Sequence, residues 1–262
     1  MSDPTKDDVS LLSPEYDALF AKAVEGFVAR MRGEPAYLNE EYCLFYPSFG
    51  NPEKKRSDII VYGQAPNTWE IKINLNKWDL VPVVLTRDAR NFSNTVDDPI
   101  DEVGPLDWIN LNWSAYQLYR SFFWQTSYKV VSDYHGFDRE RRTWCEHLVW
   151  SNLMKIAPAE GGNPDMSEYA AHEPKAVELF QLELDELKPK YAIVLTNWEW
   201  AEPFINHLGI ELPHKIDPDQ MIHWHGSYGP TKIIVTKRPY IGGRSDDYAA
   251  EILKLMDKGE HA

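Results

Sequence analysis

Ser57-Asp58-Ile59-Ile60-Val61-Tyr62-Gly63-Gln64-Ala65-Pro66-Asn67 is the stretch on which the fold turns. Ser57 to Tyr62 ends in a short continuous apolar run, the pattern of a strand buried on both faces of a parallel sheet. Gly63 closes the run, and glycine permits a tight strand-end turn and close approach of a ligand. Pro66 stiffens the loop that follows, while Gln64, Asn67 and, further on, Glu70 supply polar groups. An ordinary turn is the alternative reading of so short a Gly/Pro string.

Strands and helices alternate on both sides of this stretch. Pro14 to Arg32 carries Leu19, Phe20, Ala23, Val24, Phe27 and Met31 at helical spacing after a Ser13-Pro14 start. Val81 to Leu85 (VPVVL) is expected to form a strand, with Pro82 confining it to an edge or a strand start. Pro189 to Thr196 (PKYAIVLT) is the clearest strand, preceded by a helix predicted to start at Glu173-Pro174, with Ala176, Val177, Phe180, Leu184 and Leu187 along one face. Trp200 to Leu208 continues as a helix, Lys232 to Thr236 is a late strand, and Tyr248 to Met256 closes the chain as a helix. This order predicts an α/β fold, a three-layer α/β/α arrangement around a central, mostly parallel sheet. Reactive groups in such sheets collect at the carboxyl ends of strands, here Gly63, Asn197 and Arg238. One α/β domain over 1–262 is expected, with an N-terminal helical segment at 11–33 and an aromatic-rich insertion at about 86–148.

Composition narrows the function classes. The 262 residues hold 43% hydrophobic content, enough for a sizeable core, and no linker-like tract divides them. Met1 to Ser10 is acidic and polar rather than signal-like, and no apolar run reaches the length of a membrane span, so a cytoplasmic protein is expected. The two cysteines, Cys43 and Cys145, are expected to be reduced, packed thiols, and a four-cysteine iron–sulfur cluster is excluded. The net charge of -14 opposes nucleic-acid binding unless a local basic face exists. Lys54-Lys55-Arg56, Arg139 with Arg141 and Arg142, and Lys237-Arg238 with Arg244 are the candidate clusters, each equally readable as a solvated face. His223 and His225 alternate on an extended segment, yet no third ligand spacing accompanies them, so no metal is expected.

An apolar strand followed by Gly63-Gln64-Ala65-Pro66-Asn67 resembles the first motif of the uracil-DNA glycosylase superfamily. Trp150-Ser151-Asn152-Leu153-Met154-Lys155-Ile156-Ala157-Pro158 is similar to that superfamily's central asparagine segment. Ile233 to Leu253 (IIVTKRPYIGGRSDDYAAEIL) resembles its last strand, active-site loop and closing helix. The resemblance covers Ser57 to Met256 in broken pieces, and the order and strand placement of the weak motifs make the combination more specific than any one of them. It implies a DNA partner, an everted nucleotide, hydrolysis of an N-glycosidic bond, and no cofactor.

Breaking that bond builds positive charge on the sugar and negative charge on the departing base, so the site needs a carboxylate near the sugar and donors near the base. On the family pattern Asn152 is the asparagine that reads the base edge. Gln64 and Ala65 stand where the branches place their catalytic acid or amide, and neither can be a general base. Gln64 is kept as a candidate catalytic position, with Glu70 or Asp79 to supply the missing charge. Arg238 stands in place of the usual histidine and Tyr240 in place of the usual serine; both are candidate base-binding residues, together with Asn67. Trp69 and Trp78 flank the first motif, and Trp78, near the position of the family's stacking phenylalanine, is the preferred platform. Lys237 and Arg244 are the candidate DNA contacts.

The lost acid and histidine and the aromatic-rich insertion point to a base bulkier than uracil, for instance the glucosylated hydroxymethylcytosine of phage DNA, excised by a monofunctional antiphage glycosylase. Uracil excision in repair, a non-catalytic binding module on the same fold, and an enzyme of free nucleosides or nucleotides are the alternatives.

Overall fold

A computed structural model describes residues 11–53, 57–77, 81–95, 105–109, 118–138, 142–212, 215–240 and 244–256. In chain order the elements are α1 (Pro14–Arg32), β1 (Glu41–Leu44), β2 (Ser48–Phe49), β3 (Ile59–Gly63), β4 (Lys72–Asn74), α2 (Pro82–Asn94), α3 (Phe122–His135), β5 (Leu148–Asn152), β6 (Ile156–Pro158), α4 (Met166–Leu187), β7 (Tyr191–Val194), α5 (Trp198–His207), β8 (Ile222–Tyr228), β9 (Thr231–Thr236) and α6 (Ser245–Leu255), with short 3-10 turns between them.

Six strands form the central sheet in the order β2-β5-β3-β7-β9-β8. β5, β3, β7 and β9 run parallel, and β2 and β8 pair antiparallel at the two edges. The period-2 alternation of strand side chains sends each strand's residues to two separate cores. Ile60, Tyr62, Ala192, Val194, Ile233 and Val235 meet α1, α4 and α5 on one side. Ile59, Val61, Tyr191, Ile193 and Ile234 meet α3 and α6 on the other. The fold is therefore a three-layer α/β/α arrangement around a mostly parallel sheet. A second sheet, β4-β1-β6, is antiparallel.

β3 has β5 on one side and β7 on the other, so the chain's winding reverses at β3, and a crevice opens beyond the carboxyl ends there. Among the described residues no helix is long and apolar enough to cross a membrane.

α1 occupies the residues its apolar spacing predicts, opened by the Ser13 hydroxyl, which accepts from the Tyr16 N–H at 3.2 Å. Two expectations are corrected. Val81 to Leu85 begins a helix, not a strand: Val81 is extended and Pro82 sits in the first turn, where its missing N–H costs nothing. Its buried face is Thr86, Ala89, Arg90 and Ser93, a helical spacing that starts after the β-branched run. The helix before β7 begins at Met166 rather than at Glu173-Pro174, set by a capping box in which the Asp165 carboxylate accepts from the Glu168 N–H and the Glu168 carboxylate accepts from the Asp165 N–H. Pro174 lies inside that helix, where it deprives the exposed Ala170 carbonyl of its helical donor, a loss that water can make good.

Candidate functional site

The loops after β3 and β9 and the carboxyl end of β5 converge on one cleft of about 1000 Å³. Gly63 to Glu70 apart from Pro66 form one wall, Trp150 and Asn152 the floor, and Arg238, Pro239 and Tyr240 the opposite rim. β3 and β5 are in parallel register, Gly63 opposite Asn152, so the Asn152 side chain stands directly over the glycine. A Cβ at position 63 would collide with Asn152 Oδ1, which is why only glycine fits. Gly63→Ala is expected to force the amide aside at a cost of about 1–3 kcal/mol, read as a lower denaturant midpoint together with loss of ligand binding in the cleft.

Asn152 is 2% exposed, and its Nδ2 has no acceptor among the described residues. An unsatisfied buried donor costs about 1–3 kcal/mol, a penalty that a ligand acceptor would remove. Trp150, Trp69 and Ser93 also line the cleft, and the buried indole N–H groups of the two tryptophans and the Ser93 hydroxyl have no partner among the described residues. Trp150 is the centre of an aromatic wall. Trp69 meets it edge-on at 5.2 Å between ring centroids, Trp124 at 4.9 Å, and Trp108 lies tilted at 5.9 Å. Phe92 of α2 stands edge-on to Trp69 at 5.4 Å. The segment expected as an aromatic-rich insertion thus supplies Phe92, Trp108, Phe123 and Trp124 to the wall.

The polar side chains of the first loop act largely on the scaffold. Gln64 Nε2 donates to the Thr196 carbonyl at 2.9 Å, and its Oε1 accepts from Asn163 Nδ2 at 3.2 Å. The amide therefore ties the β3 loop to the end of β7 and to the 161–163 turn. Asn67 Oδ1 accepts from the Gly162 N–H at 3.3 Å, leaving its Nδ2 for other partners. Asn197, held at φ 80 before α5, accepts from the Arg238 N–H at 2.6 Å through Oδ1 and so fixes the start of the rim loop. A non-glycine residue in that conformation carries strain of about 1–3 kcal/mol and marks an over-determined position.

Charge in the cleft is unlike that of the whole chain. Glu70 is the one carboxylate lining it among the described residues, against Arg120 and Arg238. Both arginines are exposed, and neither guanidinium has an ion-pair partner among the described residues. Arg120 was not singled out from the sequence, because its neighbours form no motif, and Asn163 escaped for the same reason; Trp108 stands among the aromatics of the 105–150 segment, whose default reading is core. Tyr240, 55% exposed, lines both this cleft and a smaller depression of about 270 Å³ that contains Lys237 and Arg244. Lys237 Nζ donates to the Pro218 carbonyl at 3.2 Å, and Arg244 lies 3.7 Å from Asp247, so these two expected DNA contacts sit beside the cleft rather than in it. Asp79 and Trp78 lie outside the described residues, as do Lys54-Lys55-Arg56, Arg139 and Arg141. His223 accepts from the Trp198 N–H at 3.1 Å through Nδ1 and thereby caps α5, while His225 is exposed. No cluster of metal ligands occurs among the described residues.

No protein-family model matches the chain, and no curated protein matches it.

Behind the floor lies a buried polar network. Lys155 is fully buried, and its ammonium donates to Ser151 Oγ at 2.6 Å and to the Asn152 carbonyl, and pairs with Glu183 Oε1 at 2.7 Å. Tyr16 from α1 donates to the same Glu183 oxygen at 2.6 Å. The Lys155 N–H donates to Nε2 of buried His172 at 2.9 Å. Burial, reinforced by the Lys155 charge, pushes the His172 pKa down to about 3. Between that value and the ordinary 6.5 the unfolded chain binds a proton that the folded chain refuses, so this histidine's linkage removes stability as pH falls through the window. Its contribution is about 2 kcal/mol between pH 7.5 and pH 5. His172→Gln, which keeps an acceptor, is expected to lose that much less over the same interval when urea midpoints are compared.

Proposed function

We propose that the chain is a monofunctional DNA glycosylase that everts a modified pyrimidine nucleotide and hydrolyses its N-glycosidic bond. The observation that carries this reading is the Asn152 amide, buried at the floor of an aromatic cleft with a donor that nothing among the described residues satisfies. An amide offers the donor and acceptor that a pyrimidine edge requires. The tryptophan wall gives a base something to stack on, and the unpaired Arg120 and Arg238 suit the phosphates of the strand or the charge on a departing base. Glu70 at the rim, or Asp79, supplies the negative charge that an oxocarbenium-like sugar needs.

The cleft volume is at the top of the range of about 300–1,000 Å³ for small-molecule sites, which favours a bulky base such as glucosylated hydroxymethylcytosine and hence an antiphage role in the cytoplasm. Incubation with glucosylated phage DNA and with uracil oligonucleotides, followed by alkali, is the test. Strand breaks at abasic sites in the former, lost in Asp79→Asn or in Glu70→Gln, are expected; intact DNA on both substrates would remove the reading. A non-catalytic binding module is favoured by one observation, the Gln64 amide bonded to the scaffold at both ends where the superfamily carries catalytic groups. Tight binding of the same DNA without abasic sites would select it.

A further inference from the structure

We propose that Lys155, fixed by Glu183 and Tyr16, is a positioning residue that holds Asn152 for its ligand. The inference deepens the reading of Asn152 as the amide that meets the base, and rests on it. Lys155 is absent from the cleft lining, so it touches no ligand there.

All three ammonium donors are used within the protein: two on the strand end that bears Asn152, at Ser151 Oγ and the Asn152 carbonyl, and one on Glu183. Lys155's own backbone is clamped as well. Its N–H goes to His172, and its carbonyl accepts from the Phe45 N–H at 2.8 Å. The residues between are tied to the facing loop, Leu153 N–H to the Gly63 carbonyl and Met154 N–H to the Gln64 carbonyl, both at 2.9 Å. The Asn152 backbone therefore has one place to be, and its side chain stands over Gly63 as a consequence.

A buried ion pair is a poor device for stability, since apolar residues of similar size do as well. Its three directed bonds are better explained as fixing one orientation of the strand end. Ser151 and Asn152 end β5 and Lys155 follows in the turn, whereas Glu183 and Tyr16 come from α4 and α1. The cleft floor is in this way anchored to the helical layer on the far side of the sheet.

The test uses full-length protein labelled with 15N-asparagine. The side-chain amide signals of Asn152 are identified by their loss in Asn152→Ala. Wild type is expected to show them displaced from the free-amide position. In the Lys155→Met/Glu183→Gln double variant, which leaves neither charge buried alone and keeps an acceptor for Tyr16, the signals are expected to move to the free-amide position while the protein still melts cooperatively. The dissociation constant for a single-stranded oligonucleotide carrying glucosylated 5-hydroxymethylcytosine should rise about tenfold or more, and adding Asn152→Ala to the double variant should weaken binding no further.

Unmoved amide signals in the folded double variant would overturn the proposal, as would losses that simply add. Should the double variant not fold, Tyr16→Phe decides: a smaller shift in the same direction supports the proposal, and no shift overturns it. If wild type binds none of the oligonucleotide, the glycosylase reading falls, and the amide signals alone decide on Lys155.

Discussion

On the proposed glycosylase reading, Asn152→Ala is expected to lower the rate of base release by about 100-fold or more, the usual consequence of deleting one preorganised donor at a site of developing charge. The amide is 2% exposed and its Nδ2 has no acceptor among the described residues, so on this reading a base brings the partner that the donor lacks. Asn152→Asp should be at least as damaging: it replaces that donor with a second acceptor and places an anion beside a leaving group that is itself becoming negative. The measurement is single-turnover release of the modified base, with thermal melting to show that both variants remain folded. Rates within a few-fold of wild type would assign Asn152 to the scaffold and move base recognition to Asn67 and Arg238.

Lys155→Met alone is expected to be the most destabilising single substitution proposed, at about 3–5 kcal/mol, because it strands the Glu183 carboxylate in a fully buried site. Combining it with Glu183→Gln should restore much of that loss, since the buried charge is removed and Tyr16 keeps an acceptor. Denaturant midpoints of the single and double variants measure the difference. Equal midpoints would mean that the carboxylate finds water or takes up a proton at little cost.

Much of the framework is readable along the chain. Ile59 to Gly63, Tyr191 to Val194 and, within Thr231 to Thr236, Ile233 to Val235 announce themselves as strands by apolar runs, and α1 by its 3.6-residue spacing. Where local reading fails, a second signal competes with the first. Val81 to Leu85 has the composition of a strand, but a proline in the first turn and the buried face beyond it make it a helix. Glu173-Pro174 has the look of a helix start, but the capping box eight residues earlier wins because it satisfies two backbone donors at once. Of the candidate residues, Gln64, Glu70, Asn67, Asn152, Arg238 and Tyr240 do line one cleft, whereas Lys237 and Arg244 face the depression beside it.

The sequence by itself determined which segments become strands and therefore which loops stand at their carboxyl ends, since that depends on patterns spanning only a few residues. Tertiary structure alone decided that Arg120 joins Arg238 at the rim, that Trp69, Trp108 and Trp124 gather around Trp150, and that Tyr16 reaches Glu183 across 167 residues. Contacts between distant residues leave no periodicity or spacing for local reading to find. They exist only once the sheet has set the layers, and the chemistry of this cleft is built from them.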